Sequence, residues 1–216
     1  MVEVTLGLEQ LTAAPSADLR DQRVGLLCNS ASVDRHLVHA RQRVYDCFGE
    51  RLTTLFSPQH GLFAAKQDNM IESAHRRDPV LQVPVYSLYS QTRIPTQEMF
   101  AGIDTLLIDL QDVGTRVYTF IYTMSYCLEA ARQFHKRVVV LDRPNPIDGL
   151  LIEGGCLETA WRSFVGRYPL PMRHGMTIGE LALMFNNEFG IGCQLEVIPL
   201  AGWRRDMRFE HTGLPW

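Results

Sequence analysis

The 216-residue sequence lacks several features that define common classes of protein. No apolar run approaches the roughly 20 residues that a membrane-spanning helix needs. The N-terminus has no basic segment followed by an apolar one, so a signal peptide is not expected. The formal net charge is only -3, which argues against nucleic acid or an anionic membrane as the main partner. These absences predict a soluble globular protein of the cytoplasm.

The five cysteines are scattered, and no two of them form a C-x-x-C pair. This spacing supports neither a zinc cluster nor a disulfide framework, and it favours reduced thiols. Cys28 lies in an apolar run and Cys127 in a helical pattern, so both are predicted to pack in the core. The sequence also has no H-E-x-x-H motif and no glycine-rich phosphate loop. We therefore expect no metal site and no nicotinamide or flavin cofactor.

Four apolar runs are present, and each of them ends in a cluster of polar residues. The runs cover residues 23–28, 52–56, 105–108 and 138–141. Helical periodicity alternates with them, which predicts an α/β fold with an open, mainly parallel sheet and helices on both faces. Ligands bind beyond the carboxyl ends of parallel strands. The four polar clusters are therefore predicted to converge on one crevice.

The segments between these runs predict the remaining elements. Helices are expected over residues 33–48, 118–134 and 178–189, with a short helix from a Thr96 cap to Phe100 and a fifth strand over 195–199. Thr177 and Glu180 have the spacing of a capping box. Two long irregular connections, 57–84 and 143–176, both leave from the expected crevice side. Long connections in a compact domain are often functional.

The third run is followed by a group of acidic and amide residues. Alternation along an extended strand end puts Asp109 and Gln111 on one side and Asp112 on the other. Arg116 follows, and an Asp beside an Arg is held in its charged form, which suits the orientation of a hydroxylated ligand. A structural Asp–Arg pair that closes the turn is the alternative. We assign Asp112 to the site and leave both roles open for Asp109.

Two prolines fix the backbone after the fourth run and exclude a helix there. The resulting rigid loop carries Asp142, Arg143 and Asn145 at a strand end. Such a loop is suited to fork-like recognition of a carboxylate or of sugar hydroxyls. A turn that is stabilised by Asn and Pro alone is the alternative.

Three further segments carry groups that transfer protons or bind anions. Glu153 lies beside apolar residues and two glycines, which makes it a candidate general acid; a solvated loop carboxylate is the alternative. His174 follows Arg173 near a predicted helix N-terminus, where anions bind, and either contacts ligand or caps the helix. His60 follows the second run and is either catalytic or structural. The other histidines are predicted to be solvated; they are His36, His39, His75, His135 and His211.

Seven ordered blocks of the sequence resemble the NamZ-type exo-β-N-acetylmuramidase family. They cover residues 25–29, 57–61, 84–89, 92–96, 109–116, 141–146 and 173–177, and the resemblance runs from Val24 to Trp216. It implies a Rossmann-like N-terminal domain over residues 1–216, followed in the full-length protein by a smaller C-terminal domain. The site would lie in the cleft between the two. The sequence stops in a turn-like segment at Trp216, from which we predict that the second domain is missing from this chain.

The resemblance also implies an activity, which is release of N-acetylmuramic acid from the non-reducing end of peptidoglycan fragments without a cofactor. The lactyl carboxylate of that sugar would give Arg116, Arg143 or Arg173 a natural partner. The predicted substrate-binding residues are Asn29, Glu72, Asp109, Gln111, Arg116, Tyr118, Asp142, Arg143, Asn145, Arg173 and His174.

One position departs from the family pattern. The family typically has Glu where this chain has Gln59, and that Glu is its favoured catalytic carboxylate. Gln cannot transfer a proton in the same way. The predicted catalytic set is Gln59, His60, Asp112 and Glu153.

Three interpretations of this departure stay open. The acid comes from Glu72, Asp112 or Glu153. Alternatively, the acetamido group of the substrate is the nucleophile and Gln59 positions it. In the third interpretation, the protein binds muropeptide-like sugars without cleaving them. Hydrolysis of a different small acidic metabolite is a further alternative.

Overall fold

The computed structural model describes residues 3–62, 75–89 and 92–216. Its strands are β1 (Val24–Cys28), β2 (Leu52–Ser57), β3 (Arg76–Arg77), β4 (Pro84–Ser87), β5 (Thr105–Asp109), β6 (Arg137–Leu141) and β7 (Gln194–Ile198). They form one sheet in the order β3-β4-β2-β1-β5-β6-β7. Only the pair of β3 and β4 is antiparallel, and all other neighbours are parallel. The predicted open, mainly parallel sheet is confirmed.

The α-helices in the described ranges are α1 (Gly7–Ala13), α2 (Ala17–Arg20), α3 (Ala40–Phe48), α4 (Gln97–Ala101), α5 (Phe120–Gln133) and α6 (Ile178–Asn187). Short 3-10 turns cover Gly49–Arg51, Thr159–Trp161 and Phe209–His211. No helix in this part of the chain combines the length and the apolar character that a membrane span requires.

Two apolar clusters cover the two faces of the sheet. Leu106 and Ile108 of β5 belong to the cluster that contains α5 and α6. Leu107 between them belongs to the cluster that contains α1 and α3. This alternation follows from the two-residue period of a strand, and it places helices on both faces as predicted. Cys28 and Cys127 are fully buried in these clusters, and burial raises the pKa of both thiols.

The helix predicted over residues 33–48 is wrong in its first part, because α3 begins only at Ala40. The Asp34 carboxylate accepts hydrogen bonds from the backbone N–H groups of His36 and Val38. Leu37 has a φ of 59°. Side chains that bond to nearby backbone N–H groups compete with helix formation, so this segment is a loop instead.

His39 is half-buried, and the prediction that it is solvated is therefore wrong. Its Nδ1 accepts a hydrogen bond from Arg41 N and caps α3, while its Nε2 lies 3.0 Å from the carbonyl oxygen of Asn29. Burial lowers the pKa of His39. The side chain thus links the start of α3 to the end of β1.

The caps expected from the sequence are confirmed at α4 and α6. Thr96 Oγ1 accepts a hydrogen bond from Met99 N. Thr177 Oγ1 accepts from Glu180 N at 3.2 Å, and a Glu180 oxygen accepts from Thr177 N at 3.0 Å. The sequence did not predict α1, α2, β3 or β4. These elements have seven residues or fewer, too short a length for a clear periodicity.

Candidate functional site

The carboxyl ends of β1, β2, β5 and β6 lie together at one edge of the sheet, which we call the carboxyl edge. These strands are contiguous and parallel, so the polar residues that follow them leave the sheet on the same side. The four polar clusters lie at one edge as predicted, and residues that follow β1, β5 and β6 line the cavity there. The structure further separates residues that hold the edge together from residues that face a cavity.

Asp109 and Arg143 form a buried, two-pronged ion pair at the centre of this edge. Arg143 Nε lies 2.6 Å from Asp109 Oδ1, and Arg143 Nη2 lies 2.8 Å from Oδ2. The side chains are 0% and 4% exposed. Nη2 also donates to the carbonyl oxygen of Val33. The structural pairing that the sequence left open for Asp109 is therefore present, and its partner is Arg143, not Arg116.

Hydrogen bonds of Asn29 and Gln111 connect the loops that follow β1, β5 and β6. Asn29 Oδ1 lies 2.8 Å from Ser32 Oγ and accepts a hydrogen bond from Gln111 N. Ser32 Oγ also bonds to the carbonyl oxygen of Asp109. Gln111 Nε2 donates to the carbonyl oxygens of Asp112 and Pro144. Ser32 was not predicted, because its role depends on a contact with a strand far away in the sequence.

Asp112 and His174 form a second buried group. His174 Nε2 lies 3.2 Å from Asp112 Oδ2, close but not aligned for a hydrogen bond. Gly114 N donates to the same oxygen at 2.8 Å. Because His174 Nδ1 accepts from Met176 N, we assign the proton of the neutral ring to Nε2, facing Asp112. Asp112 Oδ1 is buried and accepts no hydrogen bond from the described residues.

Tyr118 lies beside this group. Burial raises the pKa of Tyr118, and the neighbouring negative charge of Asp112 raises it further. Buried polar atoms in proteins are almost always hydrogen-bonded. The buried Oδ1 of Asp112 is therefore an exception to this rule.

Asp142 holds the start of α6. Its Oδ1 accepts hydrogen bonds from Gly179 N at 2.7 Å and Arg143 N at 3.0 Å, and its Oδ2 accepts from Thr177 Oγ1 at 3.1 Å. A Cβ atom at Gly179 would lie 2.8 Å from the Asp142 carboxyl, so only glycine permits this approach. Burial raises the pKa of Asp142 to about 6 despite these hydrogen bonds.

The raised pKa of Asp142 predicts a pH-dependent stability. The folded state binds the proton more tightly than the unfolded state, so this group stabilises the fold below about pH 4 and the contribution is lost as the pH rises through about 6. The change amounts to about 3 kcal/mol. In urea unfolding from pH 4 to 7, Asp142→Asn is expected to gain about that much relative to wild type. The exposed Asp206→Asn is the control, and parallel curves for Asp142→Asn and wild type would contradict the prediction.

Both the nitrogen and the oxygen of the Asn145 side-chain amide form hydrogen bonds with backbone groups. Its Nδ2 donates to the carbonyl oxygen of Met176, and its Oδ1 accepts from Ile147 N. Gly114 has a φ of 82°, and a Cβ there would lie 2.6 Å from Asn145 Oδ1. Asn145 therefore ties the loop after β6 to the start of α6, as the turn alternative predicts.

Arg116 and Arg173 direct their guanidinium groups at the long connection after β6. Arg116 Nη1 donates to the carbonyl oxygens of Gly155 and Leu170, so it closes the segment between them into a loop. Arg173 pairs with Asp148 at 2.6 Å and with Glu153 at 2.8 Å. Both arginines thus have partners within the protein.

Glu153 does not have the apolar surroundings that the sequence suggested. Its side chain is 64% exposed and contacts Arg173. The preceding Leu151 and Ile152 are also exposed, so they do not remove the carboxylate from water. This environment corresponds to the solvated alternative.

Gln59 lies against the start of α5. Its Oε1 accepts a hydrogen bond from Thr119 Oγ1 at 3.1 Å, and Thr119 directly precedes the helix. His60 follows with a φ of 71° and is half-buried. The Pro58 carbonyl accepts from Gly61 N and closes this turn. Glu72 lies outside the described residues.

A cavity of about 360 Å³ opens at the carboxyl edge. Three predicted site residues line it, namely Gln111, Tyr118 and Arg143. Apolar side chains, among them Val33 and Trp216, line the rest. Its volume falls within the ordinary range of small-molecule sites.

Comparison with known proteins gives one curated relative of high similarity. The chain is 45% identical over 214 residues to the peptidoglycan β-N-acetylmuramidase NamZ of Bacillus subtilis (strain 168). The alignment covers 99% of this chain and 51% of the relative. The chain therefore spans about half the length of this relative.

Two solved structures share the fold, and both are DUF1343 family proteins from Bacteroides fragilis NCTC 9343. One superposes with a TM-score of 0.91 at 39% identity and covers 100% of this chain and 55% of that one. The other superposes with a TM-score of 0.81 at 29% identity and covers 96% of this chain and 54% of that one.

A family model matches the part of the chain that forms the sheet and the carboxyl edge. Residues 24–216 match the family described as "Exo-beta-N-acetylmuramidase NamZ, N-terminal". This range contains the carboxyl edge, all seven blocks of the resemblance and the lining residues of the cavity except Leu6. The chain belongs to the NamZ N-terminal family.

Proposed function

We propose that this protein is a glycoside hydrolase that releases N-acetylmuramic acid from the non-reducing end of peptidoglycan fragments. The observation that carries the proposal is the buried Asp112–His174 pair at the carboxyl edge, with one carboxylate oxygen free of hydrogen bonds from the described residues. Membership of the NamZ family and the identity to the Bacillus subtilis enzyme support it. Glycosidases of most families need at least one such carboxyl function beside the scissile bond.

Asp112 is the best supported of the three candidate carboxyl groups. Glu153 is exposed and already paired with Arg173. Glu72 lies outside the described residues. Asp112 Oδ2 accepts a hydrogen bond from Gly114 N and faces His174, whereas Oδ1 accepts none from the described residues, and we propose that Oδ1 contacts the bound substrate. Asp112 is buried and does not line the cavity, so this role requires the loop after β5 to open toward the substrate when it binds.

Gln59 is proposed to position the substrate and not to transfer a proton. Its Oε1 is occupied by Thr119 Oγ1, so its amide nitrogen is directed elsewhere as a hydrogen-bond donor. A donor of this kind can orient the acetamido group of the substrate, which then attacks the anomeric carbon as the internal nucleophile. The carboxyl group of Asp112 then donates its proton to the leaving-group oxygen as the glycosidic bond breaks, and takes a proton back from the water that opens the cyclic intermediate.

Arg143 is the proposed partner of the lactyl carboxylate. All three arginines have partners within the protein, but of these only Arg143 lines the cavity, with its Nε and Nη2 bonded to Asp109 and Val33. The bidentate pair with Asp109 holds its guanidinium plane in a fixed direction. A fixed fork suits recognition of a carboxylate.

We further propose a cytoplasmic location and a site that is completed by more of the polypeptide. All five cysteines are free, which fits a reducing compartment. The chain spans about half of the Bacillus subtilis relative, and the other half would supply a C-terminal domain that forms the opposite wall of the crevice.

A non-catalytic sugar-binding protein is the second candidate. The feature that favours it is Gln59, which stands where the family resemblance implies a catalytic Glu. In this case the same cavity and arginine would bind the acidic sugar without cleaving it.

Mass-spectrometric product analysis separates these functions. Wild type and Gln59→Glu, each expressed from the complete reading frame, are incubated with a disaccharide of N-acetylmuramic acid and N-acetylglucosamine. We expect wild type to release N-acetylmuramic acid, because the proposed proton-transfer group is Asp112. Cleavage by Gln59→Glu alone would mean that the scaffold is a glycosidase site silenced at residue 59. Tight binding without cleavage by either protein would favour the sugar-binding role.

A further inference from the structure

A second cleft, of about 760 Å³, runs along the outer side of α5 and is lined by arginine and aromatic side chains. We call it the arginine cleft. Its four arginines are Arg93, Arg132, Arg162 and Arg167, and Glu129 is the acidic residue among its lining residues. The chain as a whole carries a net charge of -3, whereas the charged side chains that line the cleft are mainly positive. A cleft lined by one sign of charge concentrates ligands of the opposite sign.

Aromatic rings hold two of these guanidinium groups in place. Arg167 Cζ lies 3.7 Å from the ring centre of Tyr126, and Arg93 Cζ lies 4.4 Å from the ring centre of Phe164. The two rings are stacked, with centres 6.3 Å apart and an angle of 13° between their planes. Stacking fixes the guanidinium planes. Arg167 donates to Ser125 and Glu129, whereas Arg93 donates no side-chain hydrogen bond to a described residue and can donate to an anion.

The positive charge of the cleft is only partly balanced within the protein. Arg167 pairs with Glu129 at 2.8 Å, and Arg132 donates to the carbonyl oxygens of Ile191 and Gly192. Arg93 and Arg162 are exposed, and neither has an ion pair with a residue in the described ranges. The side chains that extend into solvent therefore carry the uncompensated charge.

The shape and chemistry of the cleft select among anions. A single phosphate is typically held by a compact set of backbone N–H groups, which this surface does not resemble. Here the charges are spread around a large cleft and separated by aromatic faces. An extended ligand that alternates apolar ring faces with carboxylates matches that spacing.

We propose that the arginine cleft binds an acidic glycan, namely the part of a muramic-acid-containing strand that continues beyond the terminal sugar. This inference rests on the proposed function and adds a second binding surface for the same class of substrate. α5 starts beside Gln59, and Tyr126 lies about two turns, or roughly 10 Å, further along the helix. Arg116 anchors both ends of the loop that carries Arg162, Phe164 and Arg167. α5 and this loop thus connect the arginine cleft to the carboxyl edge, although the cleft and the cavity at that edge share no lining residue.

The test is the affinity for peptide-free glycan strands prepared from peptidoglycan, measured by calorimetry with the polypeptide of the complete reading frame. The double variant Arg93→Gln, Arg162→Gln is expected to weaken strand binding roughly tenfold or more, since arginines in aromatic settings are frequent hot spots. Increasing salt is expected to weaken wild-type binding as well. The matched control is Arg20→Gln, Arg204→Gln, which removes the same charge from exposed positions outside the cleft. The control is expected to bind strands like wild type.

Two results would overturn the proposal. One is strand binding by the Arg93, Arg162 double variant that equals that of wild type. The other is equally tight binding of a neutral chitin oligosaccharide of the same length, since that would make the arginines irrelevant.

Wild-type cleavage of the disaccharide separates this proposal from the proposed function. Arginine-dependent strand binding without disaccharide cleavage would support the cleft and contradict the hydrolase. If wild type cleaves the disaccharide but strand binding does not depend on the arginines, only the proposal for the arginine cleft is contradicted.

Discussion

Replacing Asp109 by Asn is expected to lower the free energy of unfolding by about 3–5 kcal/mol. The change removes the counter-charge of Arg143 but leaves the guanidinium buried, and Arg143 is only 4% exposed. A buried charge that loses its partner has no water to replace it. Both prongs of the pair are affected, because Asp109 receives Arg143 Nε and Nη2 on separate oxygens.

Urea unfolding monitored by circular dichroism measures this loss. The control is Asp104→Asn, which breaks the pair of Asp104 with Arg23 on the surface, where both side chains are more than 40% exposed. Exposed pairs contribute about 1 kcal/mol or less, so the control is expected to unfold close to wild type. Equal losses for the two variants would contradict the prediction.

The double variant Asp109→Leu, Arg143→Met provides a second comparison. Replacing both partners of a buried pair by apolar residues of similar volume is often neutral or stabilising. We expect it to recover part of the stability that Asp109→Asn loses. If Arg143 also binds the lactyl carboxylate, this stable double variant is expected to bind the acidic sugar poorly.

The position of the site was predictable from the sequence, because it depends on strand order and direction. Apolar runs such as residues 105–108 identify buried parallel strands, and the polar residues after them mark the carboxyl edge. The site residues Gln111 and Arg143 line the cavity that opens there. The buried strands and the carboxyl edge can both be inferred without knowing which side chains contact each other.

The division of roles within the edge was not predictable in the same way. Whether Asp109 pairs with Arg116 or Arg143 depends on where the loop after β6 returns, which tertiary packing decides. Glu153 has apolar neighbours in the sequence, yet Leu151 and Ile152 are exposed and leave it in water. The sequence thus shows which residues are adjacent to Glu153 along the chain. How far its side chain is buried depends on how distant segments pack around it.

In the loop before α3, side-chain hydrogen bonds to the backbone compete with helix formation. Hydrophobic periodicity gives no indication of this competition. Residues 33–48 contain apolar positions at helical spacing, but Asp34 bonds to the backbone N–H groups of His36 and Val38. This local arrangement replaces helical hydrogen bonds in the first part of the segment. It also brings Val33 to Arg143 and into the lining of the cavity, so the departure from the predicted helix helps to form the site.

Replacing Asp112 by Asn is expected to lower kcat for release of N-acetylmuramic acid by about 10²–10⁴-fold. Asn has nearly the same shape and can still accept the hydrogen bond from Gly114 N, so the loop is expected to stay in place. It cannot take up or release the proton that the reaction needs. KM is therefore expected to change little compared with kcat, since the missing interaction belongs to the transition state.

Glu153→Gln and Glu72→Gln are the matched comparisons, because they remove the other two candidate carboxyl groups by the same isosteric change. Steady-state rates on the disaccharide are expected to fall only for Asp112→Asn. A loss confined to Glu72→Gln or Glu153→Gln would instead move the acid to that residue and leave Asp112 as a positioning group for His174. Because the free oxygen of Asp112 is what assigns it the chemistry, its removal is the change that tests the assignment most directly.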